Sequence, residues 1–354
     1  MKVDGALFPG VDDLRLYDGD LSLVPERARM LEAAGYDGLY TIETNIDPFF
    51  NLLLAAEHTE RIELITGVAI AFARSPMTVA LQAWNLQQYS KGRFILGLGS
   101  QIQTHIERRF SMPWHGPAKQ MREYVLALRS IWDSWATGSK LNFRGEFYTH
   151  TITNPVFTPA PIDGPPPKIH VGALGPRMVE MAGEVADGLF GHPFNTPTFI
   201  HEVQMPALQR GLAKSGRTLA DFEMPAMVIT ITGRTEEEMQ AAEANCRRLL
   251  AFYGTTPAYW RVMEAHGWGD LGPVLNSMSK ENRWAEMPDL LPDEMVAELC
   301  VKGAPEDIPA LIDARVGSFA DRLTLYAPYA SDPAMWEGIV RGIKALPGKT
   351  AAVG

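Results

Sequence analysis

The sequence predicts an α/β protein, a single (β/α)8 TIM-barrel domain over residues 1–354 with two insertions. Three observations predict it. Strand-like and helix-like segments alternate from end to end in eight βα units, and repeated βα units demand a parallel sheet buried on both faces. An open doubly wound sheet meets that demand too, but no glycine-rich dinucleotide fingerprint is present, which favours closure. The chain has 354 residues, more than the roughly 250 of a minimal barrel, so it has room for excursions.

The elements follow in order. Lys2–Phe8 reads as the first strand and Leu23–Ala34 as its helix. Asp37–Glu43 is the second strand, followed by a helix over Phe49–His58. Arg61–Ala71 is a β-branched apolar run, closed by Arg74-Ser75-Pro76. Proline suits the first helical position, so Pro76 opens a helix reaching Tyr89. Arg93–Gly99 is the fourth strand. The next helix, Lys119–Ala136, repeats Tyr124, Leu128, Ile131 and Trp135 at helical spacing. Residues 137–167, rich in Gly and Pro, read as an insertion carrying a short hairpin over Phe143–Tyr148. Strands five to eight are Lys168–Gly172, Gly188–Gly191, Met227–Thr232 and Arg322–Tyr326. Their helices are Pro176–Val185, Thr198–Lys214, Glu236–Tyr253 and Pro333–Leu346. A second insertion, residues 254–291, separates strands seven and eight, with further helix after it.

Composition excludes several classes of function. Hydrophobic residues make up 46% and charged residues 21%, an ordinary globular balance rather than a disordered one. The net charge is −10 and no Lys/Arg run occurs, which argues against a phosphate-tracking nucleic-acid binder. Cys246 and Cys300 have neither metal nor redox spacing, and no His-x-His lies on an early strand, so no metal site and no metal-dependent hydrolase is expected. Asp4 and Pro9 interrupt any signal-like stretch and nowhere do about 18 apolar residues run together, so a cytoplasmic protein with no membrane span is expected.

In such a barrel the chemistry lies at the C-terminal ends of the strands. Strand two ends in Tyr40-Thr41-Ile42-Glu43-Thr44-Asn45, with Asp47 close by. Glu43 is a candidate for proton transfer or substrate orientation, and the plainer reading is a polar loop in which Thr44 or Asp47 caps the next helix. Strand three ends in Gly67-Val68-Ala69-Ile70, where glycine allows a flat ligand to approach or merely serves a bend. Strand four ends in Gly97-Leu98-Gly99-Ser100-Gln101, where small residues let a cofactor lie against backbone amides, although a lone Gly-x-Gly is found in many turns. His105 follows, as a cofactor donor or as a solvent-facing side chain. Strand five ends in Ala173-Leu174-Gly175-Pro176-Arg177, where free amides, the helix dipole and a guanidinium can make a phosphate site, the plainer reading being that Gly-Pro is a common helix opener that binds nothing. Strand six ends just before His192, a candidate acid, base or hydrogen-bond donor, with a satisfied structural histidine as the alternative. Tyr253, Tyr259, Trp260, His266 and Trp268 of the second insertion either wall a substrate pocket or pack among themselves.

Three stretches together carry a resemblance. Residues 67–76 (GVAIAFARSP), residues 92–99 (GRFILGLG), and residues 172–177 (GALGPR) with 182–188 (AGEVADG) stand in the order and spacing of the luciferase-like flavin and deazaflavin oxidoreductases. The chain is read as resembling their coenzyme F420-dependent branch, and the resemblance spans most of its length. It implies a non-prolyl cis peptide at Gly67–Val68 that presses on the back of the coenzyme ring, with Ala69 beside it. It implies that Ser100 and its neighbours line the ring or its ribityl chain, and that amides near Gly175 and Arg177 take the phosphate. It further implies hydride transfer between F420 and a small organic substrate, and a homodimer. An FMN-dependent monooxygenase on the same scaffold is the alternative, and a non-catalytic deazaflavin-binding homologue a second. The sugar-phosphate dehydrogenases of this branch place Asp-His at the end of strand two. This chain has Glu43-Thr44, so their proton chemistry does not transfer, and His192 or His105 is the substitute to consider.

Overall fold

The computed structural model describes residues 1–7 and 20–346; Phe8, the predicted end of the first strand, lies outside them. The strands are β1 (Lys2–Ala6), β2 (Gly38–Thr41), β3 (Glu63–Thr66), β4 (Ala69–Ile70), β5 (Phe94–Gly99), β6 (Phe143–Arg144), β7 (Thr149–His150), β8 (Lys168–Gly172), β9 (Gly188–Phe190), β10 (Pro225–Ile231), β11 (Cys300–Lys302) and β12 (Arg322–Tyr326). All but β6 and β7 join one parallel sheet, in the order β11-β10-β12-β1-β2-β3-β5-β8-β9, with β4 paired to β5. The sheet is curled. At the β9 end Gly188 pairs in parallel with Glu223, the Leu189 amide donates to the Glu223 carbonyl (3.2 Å), and the Glu223 amide donates to Asp187 (2.9 Å). These bonds tie β9 to the residues that lead into β10.

Most expected elements form within two or three residues of their predicted bounds. Pro76, Pro176 and Pro333 each stand in the first turn of a helix. Ser75 caps the first of these by accepting the Thr78 amide at 3.2 Å. Two expectations change. The apolar run predicted as one third strand is broken between β3 and β4 at Gly67–Val68. The sheet also gains β11, which pairs with Ile229–Ile231 after the second insertion. Three residues carry no periodicity to read, so only the neighbouring strand reveals it.

The helical stripe predicted over the long fifth-strand approach is buried: Tyr124, Leu128, Ile131 and Trp135 all face the core of helix Pro117–Thr137. Each such side chain contributes about 1.5–3 kcal/mol on burial. Trp135 meets Trp84 edge to face at 5.5 Å. The first insertion is fastened to this layer, because the Trp84 indole donates to Ala160 (2.9 Å) and the Gln87 amide to Pro165 (3.0 Å). Inside the sheet's curl lie Tyr40, Ile65 and Ile95, with Phe190 and Met227 against them. The functional ends of the strands stand above this plug.

Candidate active site

The peptide bond Gly67–Val68 is cis. At this point β3 leaves its partner, and a side chain takes over the ladder. The Thr66 hydroxyl donates to the Gly97 carbonyl and accepts from the Gly97 amide, both at 2.8 Å. The Val68 side chain is turned onto the ends of β5 and β8. A Cβ on Gly99 would stand 2.4 Å from Val68 Cγ2, and one on Gly172 3.3 Å from Val68 Cγ1. Glycine at 99 is therefore explained by the valine that occupies its missing side-chain space. Gly67 in turn faces the rings of Phe190 and Tyr40. The structure thus gathers Gly67, Val68, Gly99 and Gly172 at one place.

Glu43 sits beside this turn, almost fully buried. Its Oε2 accepts from the Ile70 amide (2.7 Å) and from Arg74 Nη1 (2.8 Å). Arg74 Nη2 reaches Asp47 at 2.8 Å, while the other Asp47 oxygen caps the next helix through the Phe49 amide (2.8 Å). Burial works against the Arg74 charge, but Glu43 and Asp47 outweigh it and hold the guanidinium above its ordinary value. The arrangement ties the segment after Val68 to the end of β2. Glu43 is engaged as a brace, and Asp47 takes the capping role considered for it.

Beyond β5, the Ser100 hydroxyl donates to the Gln101 carbonyl (3.1 Å). His105 lies on the short helix Gln103–Arg108 and is exposed; its ring makes no hydrogen bond among the described residues. Four residues on, the Arg109 guanidinium donates to the Thr44 carbonyl and joins the ends of β5 and β2.

After β8 the chain turns through Ala173-Leu174 into helix Pro176–Val185, with Gly175 as its N-cap and no side chain capping it. The Gly175 carbonyl accepts from the Met178 (3.0 Å) and Val179 (3.1 Å) amides. The Gly175 and Arg177 amides have no acceptor among the described residues. Buried Gln204 donates to the Leu174 carbonyl at 3.0 Å and fixes that peptide. Over the turn lies a residue from the second insertion: a Cβ on Gly175 would stand 2.4 Å from Arg261 Nη1.

His192 follows β9. Its Nδ1 accepts from the Phe194 amide at 3.1 Å, which leaves the ring proton on Nε2. Tyr259 lies across it at 4.3 Å and Tyr253 meets it edge-on at 5.0 Å between centroids. Burial among these rings pushes the imidazole down to about 3, so it is neutral at ordinary pH. Tyr253 and Tyr259 therefore wall His192. The rest of the aromatic set packs within or beside the insertion: His266 stacks on Trp268 at 4.5 Å and meets the Thr196 hydroxyl at 2.8 Å, and the Trp260 indole donates to Gly254 (2.9 Å).

Sequence reasoning gave no role to Arg74 or Arg261. Arg74 stood inside a motif that could have suggested it. Nothing local marks Arg261, since its partner turn is distant in the chain. Among the described residues no group of three or more His, Cys, Asp or Glu side chains is placed to hold a metal ion, and no helix is long and apolar enough to cross a membrane.

Comparison with known proteins identifies the family and the fold. The family model for luciferase-like monooxygenases matches residues 1–322. An uncharacterized protein of Mycobacterium tuberculosis is 49% identical over 323 residues, which is 91% of this chain and 92% of that protein. The 5,10-methylenetetrahydromethanopterin reductase of Archaeoglobus fulgidus is 25% identical over 307 residues, 84% of this chain and 86% of its own. Among solved structures, the coenzyme F420-dependent tetrahydromethanopterin reductase of Methanopyrus kandleri superposes with a TM-score of 0.77 at 19% identity, covering 97% of this chain and 98% of that one.

Proposed function

Since the chain belongs to the luciferase-like monooxygenase family, an oxidoreductase family, we propose that it is a coenzyme F420-dependent oxidoreductase acting on a small organic substrate. The curled sheet is on this reading a closed (β/α)8 barrel carrying β11 as an addition. The observation that carries the proposal is the Val68 side chain seated between Gly99 and Gly172, beside a helix start with free amides. The fit is chemical as well as spatial. The half-buried apolar side chain of Val68 suits a flat ring, and the Gly175 turn with its neighbouring guanidinia suits an anionic tail.

When bound, F420 supplies a ring carbon that accepts or gives hydride and reacts poorly with oxygen. The chain's own residues do the rest. Val68 backs the ring, fully buried Ala69 supports the strand behind it, and Gly99 and Ser100 border it. The amides of Ala173, Leu174, Gly175 and Arg177 bind the tail, with Pro176 fixing the helix start. His192 presents Nε2–H as a neutral donor toward the substrate, and Tyr253 and Tyr259 exclude water around it. Glu43 is a positioning residue: it holds the Ile70 amide and Arg74 and so sets the height of Val68. His105, exposed on its helix, stays outside the reacting centre. A homodimer working in the cytoplasm completes the reading.

Anaerobic titration of the purified chain with F420 and with FMN, followed by ring fluorescence, tests it. F420 should bind and then exchange hydride with a member of a panel of alcohols, enones or sugar phosphates. Selective FMN binding with oxygen consumption sinks the proposal in favour of the monooxygenase alternative.

A further inference from the structure

We infer that Gln204 is a positioning residue: it locks the turn that carries His192 to the chain leaving β8, and so holds the imidazole in one place at the rim. This rests on the reading of His192 as the donor toward substrate. Gln204 lies on none of the strand ends. An irregular helix brings it in. The helical run that opens at Pro197 passes through one π-helical turn, Ile200–Gln204, after which the Met205 amide reaches back five residues to the Ile200 carbonyl. Pro206 follows and has no amide to give to the Glu202 carbonyl, so the helix widens just before it. The wide turn leaves His201 and Glu202 exposed and buries Gln204, which is 3% exposed. Turns of this kind recur at functional sites.

The bonds of Gln204 run in one direction only. The Leu174 carbonyl can only accept, so the Gln204 side-chain nitrogen faces it (3.0 Å). That leaves Gln204 Oε1 to accept from the Asn195 side-chain amide (3.0 Å). Asn195 Oδ1 in turn accepts from the Thr196 backbone amide (3.0 Å), which can only donate. A carbonyl at one end and an amide at the other thus fix both side-chain amides, and neither can flip without setting like atoms face to face. The segment held in this way is the turn of His192 itself. The Phe194 amide donates to His192 Nδ1 (3.1 Å), and the Asn195 amide donates to the Pro193 carbonyl (3.0 Å). Its far side is pinned as well: the hydroxyl of fully buried Thr196 accepts from the Phe199 amide (3.1 Å) and meets His266 Nε2 at 2.8 Å. The ladder between β8 and β9 ends at Gly172 and Phe190. Beyond it, the Gln204–Asn195 pair carries the register from Leu174 to the His192 turn.

The test reads the coenzyme-free protein by amide exchange and imidazole 15N resonances, and the F420-loaded protein by single-turnover hydride transfer. Gln204→Met is close in length and volume but makes neither bond. Asn195→Ala cuts the second bond and leaves the first, and it decides by the same readings if Gln204→Met fails to fold. Exposed Gln240→Met is the control. Both test variants should speed exchange of the Phe194 amide by about tenfold while amides of the central strands keep their wild-type rates. The His192 resonances should move from the single Nε2–H form toward a mixture of tautomers. Hydride transfer should slow by about tenfold, as a displaced donor requires. Wild-type exchange and resonances in both variants overturn the inference. Faster exchange spread evenly over the core overturns it too, since that marks lost stability alone. So does an unchanged hydride rate in a variant whose turn has loosened. A chain that takes up no F420 removes the proposed function instead, and the coenzyme-free readings still decide whether Gln204 holds the His192 turn.

Discussion

Single side chains at this site are set by neighbours from other strands. Gly99 is the clearest case. The Val68 methyl stands where its Cβ would be, so Gly99→Ala must move Val68 or the end of β5. Such overpacking costs roughly 1–3 kcal/mol, and urea unfolding of Gly99→Ala should show a loss in that range. Adding Val68→Ala removes the clashing methyl and should restore most of the stability. A double variant no better than the single one would mean that the glycine serves backbone geometry alone. His192 illustrates the same dependence in its chemistry. The Phe194 amide fixes its tautomer and Tyr253 and Tyr259 strip it of water. It is a neutral donor because of partners that its own position in the sequence does not announce.

Elements are joined at the site by one forked cation. Arg74 pairs with Glu43 at the end of β2 and with Asp47 at the start of the following helix, and its carbonyl accepts from the Tyr124 hydroxyl (3.2 Å) of helix Pro117–Thr137. Three elements therefore meet at one residue. Arg74→Ala leaves two carboxylates facing each other, one of them buried, without their shared partner. Breaking a buried pair from one side typically costs about 3–5 kcal/mol, and a thermal or urea melt should fall by that order. Arg74→Lys, a point charge without the fork, should recover only part. A melt unchanged by Arg74→Ala would show that the brace does not stabilise the fold. The second insertion joins elements too, bringing Tyr259 onto His192 and Arg261 onto Gly175 from one short segment.

At the scale of the whole molecule, the two ends of the sheet's strands have opposite characters. The C-terminal ends hold glycines, free amides and aromatic walls. The N-terminal ends enclose a buried charge cluster around Arg322, which pairs with Asp4 (2.8 Å), Glu63 and Glu223 (3.4 Å). Lys2 reaches Glu63 (2.6 Å), and His170 lies 3.0 Å from Glu223. Burial pushes the Asp4 carboxyl up from 3.8 to about 7, against the pull of Arg322 and with the repulsion of Glu63 and Glu223. Burial alone would raise Glu223 too, but His170, Arg322 and Lys168 outweigh it and hold it well below the usual carboxylate range. The two act oppositely on stability. Between about pH 4 and 7 the folded chain keeps a proton on Asp4 that the unfolded chain releases, so this group's contribution to stability falls as pH rises through that window. The Glu223 contribution is complete above about pH 4.5 and is lost only in acid. Asp4→Asn should therefore flatten the decline in unfolding free energy between pH 5 and 8 by about 3 kcal/mol. An identical pH slope in the variant would place the titration elsewhere.

The sequence by itself determined the succession of strands and helices, the prolines that open the helices, and the glycine-bearing strand ends of the family. These follow from backbone preference and periodicity over a few consecutive residues, which is why β8, helix Pro176–Val185 and β12 sit where they were expected. Only the tertiary structure decided that Glu43 would be held by Arg74, that Val68 would fill the space beside Gly99, that β11 would join the sheet, and that Arg261 would cover Gly175. Arg322 and Asp4 are 318 residues apart in the chain and 2.8 Å apart in the fold. Curling the sheet brings such groups together, and a charge or a cavity finds its partner only in that curled geometry, which no local pattern encodes.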